Sequence, residues 1–246
     1  MAGIAIIDID SYLYKASLTC GELVELGDGM YYEAYNLNNA IEYLREFAHN
    51  MMDATNTDDY VFVTGGVGRN FRYTINPLYK SNRKQQKKPI MLDIVRDKCF
   101  HIFPMMYTPC LEADDTCRIL YEQDRDNVIV SLDKDLKTFE SKIYDPLHCK
   151  MNYTSRVQAE ANFKRQLLMG DATDGYSGIP KVGKATADKL ILSGITIDEI
   201  AEKYIDSGLT IDDFKLTYNC AKIIGKDDYN DGIITLYGGE TLDTKA

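Results

Sequence analysis

The chain is poor in several things, and each shortage narrows its chemistry. It has three histidines in 246 residues, His49, His101 and His148. None falls within an acidic cluster, so any metal site built on those clusters would use oxygen ligands. The six cysteines, Cys20, Cys99, Cys110, Cys117, Cys149 and Cys220, form no Cys-x-x-Cys pair and no zinc-like spacing. Reduced thiols in a cytoplasmic protein are the expectation. No window approaches about 18 uninterrupted apolar residues, so neither a membrane span nor a membrane partner is expected. The opening MAGIAIIDID is apolar but has no basic lead and meets Asp8 at once. It reads as a buried strand rather than a signal peptide. Internal repeats and low-complexity linkers are also missing. One further absence is local. Between Tyr60 and Leu92 there is no Asp or Glu, while Arg69, Arg72, Lys80, Arg83, Lys84, Lys87 and Lys88 all fall there. The formal net charge of −10 argues against a nucleic-acid partner, and this basic island argues for one.

Three short, β-branched, apolar runs read as buried strands: residues 3–9, 60–64 and 127–132. Helical patterns lie between them, from Leu37 to Met52 and from Leu111 to Glu122. Strands alternating with helices predict a parallel sheet covered on both faces, with ligands at the carboxyl ends of its strands. From about Ser155 the strands stop and helix-like segments follow, near 155–169, 184–193, 196–206 and 210–224. We therefore expect an α/β domain over residues 1–154 and a helical region over 155–246.

The acids gather at the strand–helix junctions of this plan. Asp8 ends the first strand; Glu112, Asp114 and Asp115 open the Leu111 helix as EADD. Asp133 and Asp135 follow the third strand in SLDKDL, and Asp171 and Asp174 head GDATDGYSGIPKVGKATA. Carboxylates converging on one cleft repel unless a cation is present, and magnesium is held by a few carboxylates plus water and phosphate oxygens. Two such ions can stabilise both the attacking and the leaving oxygen of a phosphoryl transfer. The competing explanation for each acid is a helix cap or a first-turn charge favoured by the helix dipole.

Five segments in order, IIDIDSYLYK (6–15), FRYTINPLYKSNRK (71–84), LEADD (111–115), SLDKDL (131–136) and GDATDGYSGIPKVGKATA (170–187), resemble the 5′-nuclease superfamily. That superfamily comprises flap endonucleases, phage 5′–3′ exonucleases and the 5′-nuclease domain of bacterial DNA polymerase I. The resemblance implies a PIN-like parallel sheet flanked by helices, a basic helical arch near 69–98, and a helix–turn–helix duplex-binding element near 170–193. It implies Asp8, Glu112, Asp114, Asp115, Asp133, Asp135, Asp171 and Asp174 as ligands of two Mg²⁺ ions, with Mn²⁺ able to substitute. Lys80 and Arg83 become the catalytic basic pair. Arg72, Lys84, Lys87 and Lys88 become DNA contacts, with Tyr79 placed to stack on a terminal base. Gly178, Lys181, Gly183 and Lys184 fall in the loop that grips duplex backbone, where the family often holds K⁺. The implied enzyme is a monomeric, cytoplasmic 5′–3′ DNA exonuclease or flap endonuclease of replication and repair, working in the host cytoplasm if phage-encoded. It would act on free 5′ ends, flaps or nicks, with RNA–DNA hybrids as a further substrate, and leave 5′-phosphate and 3′-hydroxyl ends.

The chain departs from the family pattern in two places. An acid usual six residues before the Phe of the Phe-Arg pair is Gly65 here, and the first glycine of the gripping loop is Lys181. Asp10 either replaces the missing acid or caps the helix that follows it. Two other functions stay open on the sequence: a PIN-type ribonuclease, which generally lacks the 170–187 element, and a non-catalytic DNA-structure binder.

Overall fold

The run IAIID becomes strand β1 (Ile4–Asp8) because its branched side chains fit a sheet covered on both sides. Chain order is clear in the computed structural model, which describes residues 3–66, 68–81 and 88–244. After β1 come α1 (Asp10–Thr19), the hairpin β2 (Gly21–Gly27) and β3 (Met30–Tyr35), α2 (Leu37–Thr55), β4 (Asp59–Val63), α3 (Phe71–Ile75), α4 (Leu92–Ile102) and β5 (Met105–Met106). Then follow α5 (Ala113–Gln123), β6 (Val128–Val130), a 3-10 turn (Asp135–Thr138), β7 (Ser141–Asp145) and β8 (Lys150–Thr154). The rest comprises α6 (Arg156–Met169), β9 (Gly170–Asp171), β10 (Tyr176–Ser177), α7 (Lys184–Leu192), α8 (Ile197–Asp206) and α9 (Ile211–Ala221), then β11 (Tyr229–Asn230), β12 (Ile233–Thr235) and β13 (Thr241–Asp243).

The central sheet runs β5-β4-β1-β6-β7-β8, parallel except for β8, which turns back against β7. Strand alternation assigns its faces. Ala5 and Ile7 of β1 pack with α1, α2 and α4, while Ile6 packs with α5 residues Ala113, Cys117 and Tyr121. Each isoleucine is fully buried, worth about 2 kcal/mol. Asp8 continues the Ile6 face, so it emerges at the strand's end on the side of α5. Helix starts are written locally. Ser155, Thr196 and Thr210 each close a capping box with Gln158, Glu199 and Asp213, which stops α6, α8 and α9 at those residues.

Helices α6–α9 surround a second core of Leu167, Leu168, Ile200, Tyr204 and Phe214, and Tyr79 from the other half of the chain joins it. The expectation that strands cease after Ser155 is corrected. Here β9 pairs with β10, and β11–β13 form a small sheet packed on Phe71, Leu111 and Ile119. These strands have two or three residues each, too short to carry a readable alternation. The β2–β3 hairpin and the β7–β8 pair were also not expected. All six cysteines are free thiols, and no helix among the described residues is long and apolar enough to cross a membrane.

Candidate active site

The carboxyl ends of β1 and β6 and the first turn of α5 meet where the sheet's strand order turns back on itself. One narrow cleft there is lined by Glu112, Asp114, Asp133, Asp135 and Asp174, with Tyr79, Lys80 and Gln166 between them. A relay of hydrogen bonds fixes the strand-end acids. Ser131 Oγ donates to Asp8 Oδ2 at 3.0 Å and accepts from the Asp133 amide at 3.0 Å. The Asp135 amide donates to Asp133 Oδ1 at 2.7 Å, and Gln166 Nε2 donates to Asp135 Oδ1 at 2.8 Å. Asp171 sits beside this cleft on β9, with Lys134 Nζ 3.7 Å from its Oδ2.

Electrostatics show how crowded the acids are. Burial, then the charges of Asp10 and Asp133, push Asp8 up to about 7 from an ordinary 3.8, against hydrogen bonds that lower it. Burial and the charges of Asp133, Asp8, Glu112 and Asp115 drive Asp114 well above the usual carboxylate range. Asp135 rises to about 6, chiefly by burial and by Asp133. Glu112 goes the other way. Burial opposes its charge, but Arg72 and Lys80 outweigh that and hold its pKa down.

The EADD acids divide between two jobs. Glu112 caps α5, and the Asp115 carboxylate closes the box by accepting the Glu112 amide at 3.0 Å. Asp115 is 0% exposed. It takes both Nη1 and Nη2 of Arg72 at 2.8 Å and the Ile224 amide at 2.8 Å. Its oxygens are committed to the fold, which corrects its assignment as a metal ligand. The same geometry corrects Arg72. That side chain is buried, donating also to the carbonyls of Cys220 at 3.1 Å and Lys222 at 2.7 Å, and offers nothing to DNA. Tyr79 is corrected as a base-stacking residue. Its ring is 2% exposed in the second core, and its hydroxyl donates to Glu112 at 2.9 Å and Asp174 at 3.2 Å. Glu112 and Asp114 are the EADD acids that line the cleft.

Lys80 stands at the cleft rim, its ammonium paired with Glu112 and 3.8 Å from Asp174 Oδ2. Its backbone amide donates to the Asp174 carbonyl at 2.8 Å. That approach needs Gly175, because a Cβ there would lie 2.6 Å from the Leu78 carbonyl oxygen. Arg83, Lys84 and Lys87 lie outside the described residues; Lys88 is described and exposed. Gly178 is buried, and a Cβ on it would meet Met169 and Gly170 backbone at 2.3 and 2.4 Å. It therefore holds β10 against β9 and does not face a phosphate, which corrects its DNA-contact role. Lys181, Gly183 and Lys184 are exposed at the start of α7, and Gly183 has no neighbour within 4 Å of a Cβ position. Lys181 adopts φ +65°, the left-handed conformation that glycine would take at lower cost.

Asp10 does not cap α1; Ile9 holds the cap position with no side-chain bond. The Asp10 carboxylate instead reaches the end of β4, accepting from the Thr64 hydroxyl and, at 3.1 Å, from the Gly65 amide, with Arg96 at 3.4 Å. Sequence reading missed Ser131 and Gln166. A serine between a strand and Asp133, or a glutamine five residues before Asp171, carries no signal of its own. Gln166 Oε1 is buried with no hydrogen-bond partner among the described residues.

Among the described residues no three acidic, histidine or cysteine side chains converge closely enough to cage an ion unaided. The donor set is nevertheless all oxygen and crowded, and burial with mutual repulsion raises the pKa values of Asp8, Asp114 and Asp135. That suits a hard cation which keeps several of its waters.

No protein-family model matches the chain. It is 35% identical over 126 residues to the exonuclease of Escherichia phage T7, a stretch that is 47% of this chain and 41% of that protein. The match thus spans less than half the length of that relative. A bacteriophage T5 protein co-crystallised with metal ions superposes with a TM-score of 0.66 at 15% identity, covering 90% of this chain and 89% of that one. The T5 flap endonuclease, in a pseudo-enzyme–product complex with DNA and metal ions, gives 0.62 at 16% identity, with 89% and 87% covered. The chain therefore has the fold of the phage T5 5′-nuclease: a central parallel sheet flanked by helices.

Proposed function

We propose that the chain is a divalent-metal-dependent 5′–3′ DNA exonuclease and flap endonuclease, hydrolysing phosphodiesters to 5′-phosphate and 3′-hydroxyl ends. One observation carries this reading. Glu112, Asp114, Asp133, Asp135 and Asp174 line one cleft, with Asp8 tied to Asp133 through Ser131 and Asp171 beside it, a crowding of carboxylates that a cation would relieve. Asp8, Glu112, Asp114, Asp133, Asp135, Asp171 and Asp174 are the residues we assign to holding two Mg²⁺ ions, with Mn²⁺ able to substitute. When bound, such ions supply a nucleophile at neutral pH and charge stabilisation at the phosphate. The chain's own groups do the rest. Lys80 gives up Glu112 to neutralise charge growing on the phosphoryl oxygens, joined by Arg83. Tyr79 holds Glu112 and Asp174 in place. Lys181, Gly183 and Lys184 offer the open start of α7 to duplex phosphate, with K⁺ at that loop. Lys84, Lys87 and Lys88 add phosphate contacts on the arch side.

The substrate is DNA with a free 5′ end, flap or nick, since such bases leave the stack most cheaply. RNA–DNA hybrid is a further substrate, and the enzyme works as a monomer in the cytoplasm. The likeness to the T7 exonuclease and to the DNA-bound T5 flap endonuclease supports the reading. The test is cleavage of 5′- and 3′-labelled flap, nicked and blunt DNA in Mg²⁺ or in EDTA. Cleavage in EDTA, or none in Mg²⁺, refutes it.

A further inference from the structure

The carboxylate cleft opens at its Asp135–Gln166 end into a groove that the loop before α7 does not line. A first hollow of about 310 Å³ lies between the 3-10 turn and α6, bordered by Asp135, Asp171 and Gln166 and by Lys134 and Lys137. It shares Lys137, Asn162 and Arg165 with a second hollow of about 560 Å³ that reaches β8. Both are in the size range of ligand clefts. Lys80 lines the cleft but neither hollow. The groove thus leaves from a different end of the site.

Its outer part is cationic within an acidic chain. Acids outnumber cations 38 to 28 in the chain, yet the outer hollow has Lys137, Lys150 and Arg165 and no Asp or Glu. Arg165 is offset from behind by Asp188 at 2.8 Å, while neither lysine is ion-paired among the described residues. The floor is built rather than loose. Arg165 Nη1 donates to Asn162 Oδ1 at 2.9 Å, and Asn162 Nδ2 donates to the Lys137 carbonyl at 2.9 Å. Asn152 and Gln158 add neutral polar groups. Tyr153 stands on edge strand β8 with 71% of its surface exposed, an open aromatic face in a groove of cations.

We propose that this groove binds a single strand of nucleic acid that continues out of the cleft past Asp135 and Asp171. Lys137 and Lys150 take its phosphates and Tyr153 stacks on a base. Cations beside a free aromatic face are the elements that hold unpaired strands, whereas a duplex hides its base faces. The proposal rests on the nuclease reading above and adds a substrate contact to it.

The experiment is fluorescence anisotropy in EDTA on one duplex, blunt or carrying a 5′ or 3′ single-stranded arm of about eight nucleotides, a length within reach of such grooves. The parent should bind an armed duplex more tightly than the blunt one. Lys137→Ala/Lys150→Ala should cut that advantage at least about five-fold and lower its salt slope by about 1.4, the value for two single-strand phosphates. Tyr153→Ala should cut it by a similar factor without changing the salt slope. All three side chains are exposed, so the variants keep the core. The proposal falls if the parent shows no arm advantage, if the variants keep the parent's advantage, or if they weaken blunt and armed DNA equally. Parallel cleavage assays in Mg²⁺ separate the two readings. A parent that cleaves while the variants bind like it refutes the groove alone; a parent that neither binds nor cleaves refutes both.

Discussion

Replacing Asp8 by Asn tests the crowding of the acids without any metal present. Burial and neighbouring charge raise the Asp8 pKa from 3.8 to about 7, a shift of about three units, or about 4 kcal/mol. Below about pH 4 the group is protonated in both folded and unfolded chains and costs nothing. Between about 4 and 7 the unfolded chain has lost the proton and the folded chain keeps it. Stability therefore falls by about 1.4 kcal/mol per pH unit across that window. Above about 7 the carboxylate is charged in both states and the whole penalty is present. An asparagine keeps an oxygen for Ser131 but never ionises, and it relieves Asp114 as well. Weaker hydrogen bonds to an amide return part of the gain. Urea unfolding in EDTA should thus show Asp8→Asn more stable than the parent by about 2–4 kcal/mol at pH 8 and nearly equal at pH 4. Saturating Mg²⁺ should then narrow the gap, because the parent has the fuller ligand set. A variant less stable than the parent at pH 8, or a gain equal at both pH values, refutes the reasoning.

Asp115→Asn, or Arg72→Met, should cost about 3–5 kcal/mol in urea unfolding, because each leaves a buried charge without its partner. The Mg²⁺ concentration for half-maximal cleavage by the folded fraction of Asp115→Asn should match the parent's; a large rise would return Asp115 to the metal site. Lys80→Ala should slow single-turnover cleavage about 10²–10³-fold while binding in EDTA changes far less. Equal losses in rate and binding would make Lys80 a plain phosphate contact. Lys181→Gly should raise thermal stability by about 1 kcal/mol, since the +65° φ suits glycine, and a loss would mean the lysine side chain supports the loop.

What was legible in the sequence was whatever depends on neighbours along the chain. The three expected strands correspond to β1, β4 and β6 because short branched runs have few other uses, and α6, α8 and α9 each start at a capping box. Asp8, Asp133 and Asp135 were placed correctly at strand ends for the same reason. What was not legible depends on partners far away. In EADD nothing separates Asp114 from Asp115 until Arg72, 43 residues earlier, is seen to bind the latter. Arg72 itself sits in a run of cations, and composition cannot say which member of such a run is buried. Tyr79 was placed against a terminal base by resemblance alone; its ring is held by Leu167, Leu168 and the other residues of the second core. The hairpin β2–β3 carried a readable Asp-Gly turn that was passed over.

Gly65 shows how a departure from a pattern is absorbed nearby. A Cβ at that position would lie 3.4 Å from Asp10 Oδ2, so the Asp10 carboxylate already occupies the space beside residue 65. Both of its oxygens are held there, one by the Gly65 amide and the other by the Thr64 hydroxyl and Arg96. Its negative charge still reaches the cleft, as the largest influence after burial on the raised pKa of Asp8. An aspartate at 65 would bring a second carboxylate against Asp10, with Arg96 the one cation paired there among the described residues. Two like charges at that separation cannot both ionise cheaply. The carboxylate beside residue 65 is in this chain the one that the β1–α1 junction carries, Asp10.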